Sequence, residues 1–383
     1  MRVLQISNYY YPKLGGIEKV AQDIAHVLKN AGIEQRVICF NEDASDQSHV
    51  CHRNETKTEI VDGIEVIRCS CFAKVASQSL SFSYSKILRD LVNNFKPDVI
   101  LFHYPNPFVA NALLSLEYRT YKLIIWWHLD ITKQKFLKHF FHFQNLKLIQ
   151  NASSVLCSTK KLLLESEYAD RFGNKGMVVP FMINGTRSSL TKQEKDEAQR
   201  VRSRWKGKVI CFFIGRHVPY KGLDTLIGAA KCLDQDRFVF LIAGSGPETQ
   251  KLKKEASSLS NIHFLGTVSE SQKRVLMSSA DIFCFPSITK NESFGLSLAE
   301  AMLLSCPAVT YSIKGSGINE VNLNGVTGIE CRNGDYRQYA EALDTLARNP
   351  EMRHTMGKAA HDRISTLFSK ARFTETLLKV LAE

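Results

Sequence analysis

The sequence predicts an α/β protein built on two doubly wound parallel sheets, and three observations carry that prediction. Short apolar runs alternate with helix-length stretches through the first half, a charged stretch at 186–208 interrupts them, and the same alternation then restarts. At 383 residues, with 44% hydrophobic and 23% charged residues, the chain can bury a separate core in each of two domains. No apolar run approaches the ~20 residues of a spanning helix. The N-terminus passes from a short apolar run straight into polar residues, without the longer apolar stretch of a signal peptide. A cytoplasmic location is therefore expected.

The elements follow in order. The first strand falls at 3–7, followed by a loop that carries Pro12, Gly15 and Gly16. Ala21, Ile24, Ala25 and Leu28 then recur at helical spacing, and Gly32 supplies the stop. Strands are expected at 36–40, 99–102, 123–127 and 155–157, with a last one at 176–183. Asp62-Gly63 divides 59–67 into the two strands of a hairpin. Residues 186–208 read as a linker plus an exposed helix. Beyond it, strands are expected at 209–214, 238–243, 262–265, 282–285 and 308–311, and from Asp335 onward the pattern is helical, punctuated by Pro350.

Ten cysteines, scattered and several within apolar runs, lack the spacing of a metal site and read as buried or idle thiols. The net charge of +12 is shared evenly between the two halves, which argues against a basic nucleic-acid-binding tail or domain. One local exception stands out. Residues 131–164 contain no acidic side chain, while Lys133, Lys135, Lys138 and Lys147 interleave with Phe136, Leu137, Phe140, Phe141 and Phe143. Phe136, Phe140 and Phe143 follow a three-to-four spacing, the pattern of a helix lying on an anionic membrane surface and equally of a half-buried helix.

Four segments carry chemistry. Gly15-Gly16 sits at a strand–helix junction, where glycines allow positive φ and close backbone approach to an anion. Arg216 and Lys221 follow the first strand of the second sheet, on the edge where open α/β sheets bind ligands, and a guanidinium with an ammonium suits a diphosphate. Gly244-Ser245-Gly246-Pro247 is either a ligand-facing loop or a tight turn. Glu292 and Glu300 flank the start of a helix opened by Phe294-Gly295-Leu296, so two hydrogen-bond acceptors lie beside a helix N-terminus.

These segments together resemble the retaining glycosyltransferases of family 4, which have the GT-B fold. Glu292 to Glu300 matches the E-x7-E signature of that family in its E-x-F-G-L form. The Gly-Gly loop, the Gly-Arg…Lys-Gly segment and the Gly-x-Gly-Pro turn fall in the family's order. The resemblance implies two Rossmann-like domains facing across a cleft: an N-terminal domain of residues 1–185, joined by a C-terminal helix at 365–383, and a donor-binding domain of 186–364. It implies that Gly15 and Gly16 approach the donor diphosphate while Arg216 and Lys221 neutralise it. Glu300 would hold the ribose and Glu292 the sugar hydroxyls, with the backbone N–H groups of Phe294, Gly295 and Leu296 contacting sugar and phosphate. His128 would be the active-site histidine.

The stretch 127–135 is similar to a subgroup that often acts in O-antigen and capsule assembly; several of its members use GDP-sugars, and others in the wider family use UDP-sugars. The expected activity is transfer of a hexosyl unit, mannosyl or related, to a lipid-linked glycan. Where many relatives have a second Gly-Gly before a glutamate, Gly315-Ser316-Gly317 precedes Glu320, which leaves the part played by Glu320 open. Asp234-Gln235-Asp236 precedes a strand and so lies at the edge away from ligands; it reads as a turn, and no metal or cofactor is expected. Two other classes remain: another GT-B enzyme such as a nucleotide-sugar 2-epimerase, and a non-catalytic nucleotide-sugar-binding regulatory protein.

Overall fold

The computed structural model describes residues 1–13, 15–42, 50–75, 78–116, 120–131, 135–183 and 190–383, with the side chains of 135–140 outside the description. The chain divides into two compact units, Met1–Met182 with Thr374–Glu383, and Ile183–Phe373. Against expected bounds of 185 and 365, the first unit closes at Met182 and takes up the chain again at Thr374. The helix Pro350–Leu367 stays with the second unit because it is tied there. Arg363 donates to the carbonyls of Glu320 and Val321, and His361 meets the carbonyl of Leu303.

The strands of the first unit are β1 (Arg2–Ile6), β2 (Glu34–Phe40), β3 (Lys57–Val61), β4 (Ile64–Cys69), β5 (Ala73–Val75), β6 (Gln78–Leu80), β7 (Val99–Tyr104), β8 (Lys122–Trp127), β9 (Ser154–Cys157) and β10 (Gly176–Val178). Those of the second are β11 (Val209–Ile214), β12 (Phe238–Ala243), β13 (Ile262–Gly266), β14 (Ile282–Phe285), β15 (Ala308–Tyr311) and β16 (Gly328–Cys331). Among the described residues the first sheet runs β10-β9-β8-β7-β1-β2-β4-β3 and the second β13-β12-β11-β14-β15-β16. Every pairing in them is parallel except β3 with β4. The central strands β7 and β12 are buried along their whole length, which is why 99–102 and 238–243 read as unbroken apolar runs rather than alternating ones.

Asp62 and Gly63 both take positive φ, as the hairpin between β3 and β4 requires. Strand β10 is shorter than its sequence promised. Val179 still donates to Cys157, but Pro180 has no N–H to continue the ladder. The exposed helix expected within 186–208 is Lys192–Arg204, with only Glu194 and Ala198 buried. It opens on a capping box between Thr191 and Glu194, and Glu194 is then buried against Arg274 and Ser271 of the helix Glu270–Ser279.

Within the helix Lys135–Asn151, Leu148 and Ile149 enter the core of the first unit while Phe143 is 72% exposed. Lys133, and the side chains of Lys135, Phe136, Leu137, Lys138 and Phe140, lie outside the description. Among the described residues no helix is long and apolar enough to cross a membrane.

Candidate active site

In the second sheet the chain leaves β11 for β12 and β13 on one side, then returns to β14 on the other. The strand order therefore reverses between β11 and β14, and at the carboxyl edge such a switch point is the place where open α/β sheets hold ligands. Lys221 comes from the first connection and Glu292 from the second. Lys221 Nζ bonds Glu292 Oε2, and Ser287 Oγ lies 3.4 Å from the same oxygen. The two side chains are 11% and 14% exposed, so the pair is largely desolvated yet open on one side.

Burial is the largest influence on Lys221 and favours loss of its proton. The Glu292 carboxylate and the Tyr220 phenol outweigh it, against a smaller push from Arg216, and hold the ammonium above its ordinary range. Lys221 is thus a fixed cation at neutral pH. Arg216 is exposed, and its guanidinium has no hydrogen-bond or ion-pair partner among the described residues, so it is the second cation, free to turn toward a ligand.

Glycines let these connections touch. Gly222 takes φ +63°, and a Cβ there would collide with the carbonyl oxygen of Pro286. Ile288 donates to the carbonyl of Tyr220 at 2.9 Å, which stitches the same two segments together. The Gly244-Ser245-Gly246 segment packs closely on the connection after β11. Side chains at 244 and 246 would strike the backbone of Gly215 and His217, and His217 N–H donates to Ser245 at 3.0 Å. A fourth segment closes the set: Ser316 Oγ donates to the carbonyl of Glu292, and Gly317 N–H donates to Ser293 at 2.9 Å. Ser316 stands where the sequence departs from the second Gly-Gly, so its hydroxyl braces the Glu292 loop. Glu320 lies on the short helix Ile318–Val321 that follows, with its carbonyl held by Arg363.

Gly295 takes φ +82° and caps the helix Leu296–Leu303, so the first-turn N–H groups of that helix have no partners within it. The Phe294 ring is buried and packs edge-on against Phe368 with centroids 5.2 Å apart, so its side chain is an anchor rather than a ligand contact. Glu300 sits one turn into the helix and receives Lys273 Nζ at 2.9 Å. Lys221 and Glu292 are thus brought together directly, with Arg216 near enough to act on the Lys221 charge, whereas Glu300 lies on the helix that follows Glu292 and is paired elsewhere.

In the first unit Gly15 and Gly16 differ from expectation. Gly15 is extended, with φ −161°, and Gly16 is already the first residue of the helix Gly16–Asn30. Neither uses positive φ. A Cβ on Gly15 would meet the carboxylate end of the Glu18 side chain. His128 is the residue after β8, is 2% exposed, and bonds His103 of β7 at 2.9 Å. His103 in turn bonds Gln5 of β1 at 2.7 Å. Burial pushes His103 down to about 3, and burial followed by the neighbouring His103 holds His128 well below its ordinary value. Both rings are neutral. Neither Gln5 nor His103 has any signal in sequence spacing, because their meeting depends on strand register.

Asp234 accepts from the N–H of Asp236 at 2.9 Å, the local turn that its position before β12 predicts.

Two family models match the chain: Glycosyltransferase Family 4 over residues 14–175, and Glycosyl transferases group 1 over residues 194–363. This chain belongs to the GT-B glycosyltransferases of family 4 and group 1. The glycosyltransferase is 26% identical to O-antigen chain mannosyltransferase C of Escherichia coli over 375 residues, which covers 96% of this chain and 95% of that one. It is 25% identical to the D-rhamnosyltransferase WbpZ of Pseudomonas aeruginosa over 380 residues, 96% of this chain and 92% of that one. Among solved structures it is similar to Anabaena HepE in complex with UDP-glucose, with a TM-score of 0.75 at 17% identity, over 100% of this chain and 99% of that one.

Proposed function

We propose that this glycosyltransferase moves a hexosyl unit, mannosyl or closely related, from a GDP- or UDP-linked sugar to a hydroxyl of a growing, lipid-linked surface polysaccharide, with retention at the anomeric carbon. The observation that carries this reading is the Lys221–Glu292 pair at the β11/β14 switch point with the cation Arg216 beside it. A leaving diphosphate needs fixed positive charge, and a sugar needs hydrogen-bond acceptors held still. Lys221 has three donors, and Glu292 occupies one of them, so an oxygen of a diphosphate can take another. The relatives that act on mannose and rhamnose support the hexosyl class, and the UDP-glucose held by HepE supports a nucleoside diphosphate donor.

In the working mechanism the bond between the anomeric carbon and the β-phosphate oxygen breaks. The acceptor oxygen bonds to the same face, and the acceptor proton passes to the departing phosphate. Arg216 and Lys221 stabilise the charge on that phosphate in place of a metal ion. Glu300 holds the ribose, with Lys273 as the partner it exchanges on binding. The exposed Phe143 and Lys147 of the helix Lys135–Asn151 meet the inner membrane face, where a lipid-linked acceptor resides.

Thermal-shift measurement with UDP-, GDP- and ADP-sugars tests the donor class. A ligand that binds the folded state alone adds ~2.7 kcal/mol at a hundred times its Kd. One base series is expected to raise Tm, and Glu300→Ala is expected to lose more of that rise with the free diphosphate than Glu292→Ala. No shift with any of the three series would overturn the donor assignment.

A further inference from the structure

Three residues on one face of the first sheet form a diagonal staircase toward its carboxyl edge. Gln5 of β1 is registered with Leu101 of β7, and His103 lies two residues further along that strand. His103 is registered with Trp126 of β8, and His128 lies two residues further along again. Two residues along a strand restores the same face, so each step moves one strand over and one side-chain row nearer the edge. The hydrogen bonds follow the steps, Gln5 Oε1 to His103 Nε2 at 2.7 Å and His103 Nδ1 to His128 Nε2 at 2.9 Å. The two imidazoles lie nearly parallel, 13° apart. All three side chains are buried, at 0%, 1% and 2% exposure.

The direction of the chain sets its chemistry. An amide oxygen only accepts, so His103 must donate from Nε2. A neutral imidazole that donates from one nitrogen accepts at the other, so His103 Nδ1 accepts and His128 Nε2 donates. His128 Nδ1 then carries a lone pair and no proton, and it has no partner among the described residues. We propose that His103, anchored by Gln5, is a positioning residue that locks His128 as its Nε2–H tautomer, so that Nδ1 meets a substrate hydroxyl as an acceptor. Only the identity of that hydroxyl rests on the sugar-transfer reading. The relay itself rests on the register. Trp126 and Phe181, with ring centroids 6.1 and 5.8 Å from His128, flank the relay and keep it dry.

Long-range 1H–15N correlation on the full-length protein labelled at histidine nitrogen tests the proposal at neutral pH. The expected spectrum gives both His103 and His128 as neutral Nε2–H tautomers, each Nδ1 resonating at the far-downfield position of an unprotonated ring nitrogen. His103→Phe is expected to release His128 into a mixture of tautomers. His103→Asn, which retains an amide oxygen as acceptor for His128, is expected to restore the Nε2–H form. A His128 protonated at Nδ1, which a Gln5 amide facing the other way would produce, overturns the proposal in the unaltered protein. So does an unchanged His128 spectrum in His103→Phe. Because the readout is a nitrogen shift, the result stands whether or not sugar transfer is detected.

Discussion

Lys221→Met is expected to lower kcat/KM by roughly ten- to a hundredfold, since one charge-assisted hydrogen bond is worth ~1.5–3 kcal/mol and each 1.4 kcal/mol is about tenfold in rate. Methionine keeps an unbranched stem of similar length while removing the ammonium, which lies 5.2 Å from the Phe285 ring centroid and 5.5 Å from that of Tyr220. The loss should exceed that for Arg216→Ala. Lys221 is already fixed by Glu292, whereas exposed Arg216 must give up side-chain freedom to bind. Steady-state rates with the donor that raises Tm decide the matter. An unchanged kcat/KM in Lys221→Met would remove Lys221 from the reaction.

The second large effect falls on stability. Gly222→Ala places a Cβ against the carbonyl of Pro286 at a residue with φ +63°. The left-handed conformation alone costs an L-residue ~1–2 kcal/mol, and forced displacement in a packed site typically costs ~1–3 kcal/mol more. For a unit of this size ~1 kcal/mol moves Tm by about 2–4 °C, so a fall on the order of 10 °C is expected. Gly207→Ala is the control. Gly207 also has positive φ, at +84°, but a Cβ there meets nothing within 4 Å, so it should show the conformational cost alone. Equal Tm changes in scanning calorimetry would mean that the contact between the two connections is not what Gly222 secures.

The parts of the fold that sequence shows well are those with a single physical cause. Strands β11, β12, β14 and β15 match their predicted runs to the residue, because strands buried on both faces are largely apolar. Strand β16 carries no such run. Its Gly328 is there because a Cβ would strike the carbonyl of Ala308, a packing demand that reads in sequence as a turn. At Gly15 the left-handed backbone that a glycine allows is not used, because the residue is extended and Gly16 already starts the helix. At the site, Arg216, Lys221 and Glu292 were legible because each follows a strand that the sequence reveals. Ser316, Gln5 and His103 were not, because a serine brace and a registered ladder exist only once strands are paired.

The central claim is that two protein cations, and no metal, support transfer of a sugar to a lipid-borne acceptor. The direct measurement is incorporation of labelled hexose from GDP-mannose and from UDP-glucose into a bacterial membrane lipid extract, with excess EDTA present. Label is expected to enter the lipid fraction from one of these donors and to do so at an undiminished rate in EDTA. Conversion of the free donor with no label in lipid would point to an epimerase or hydrolase, and activity lost in EDTA but restored by magnesium or manganese would contradict the account.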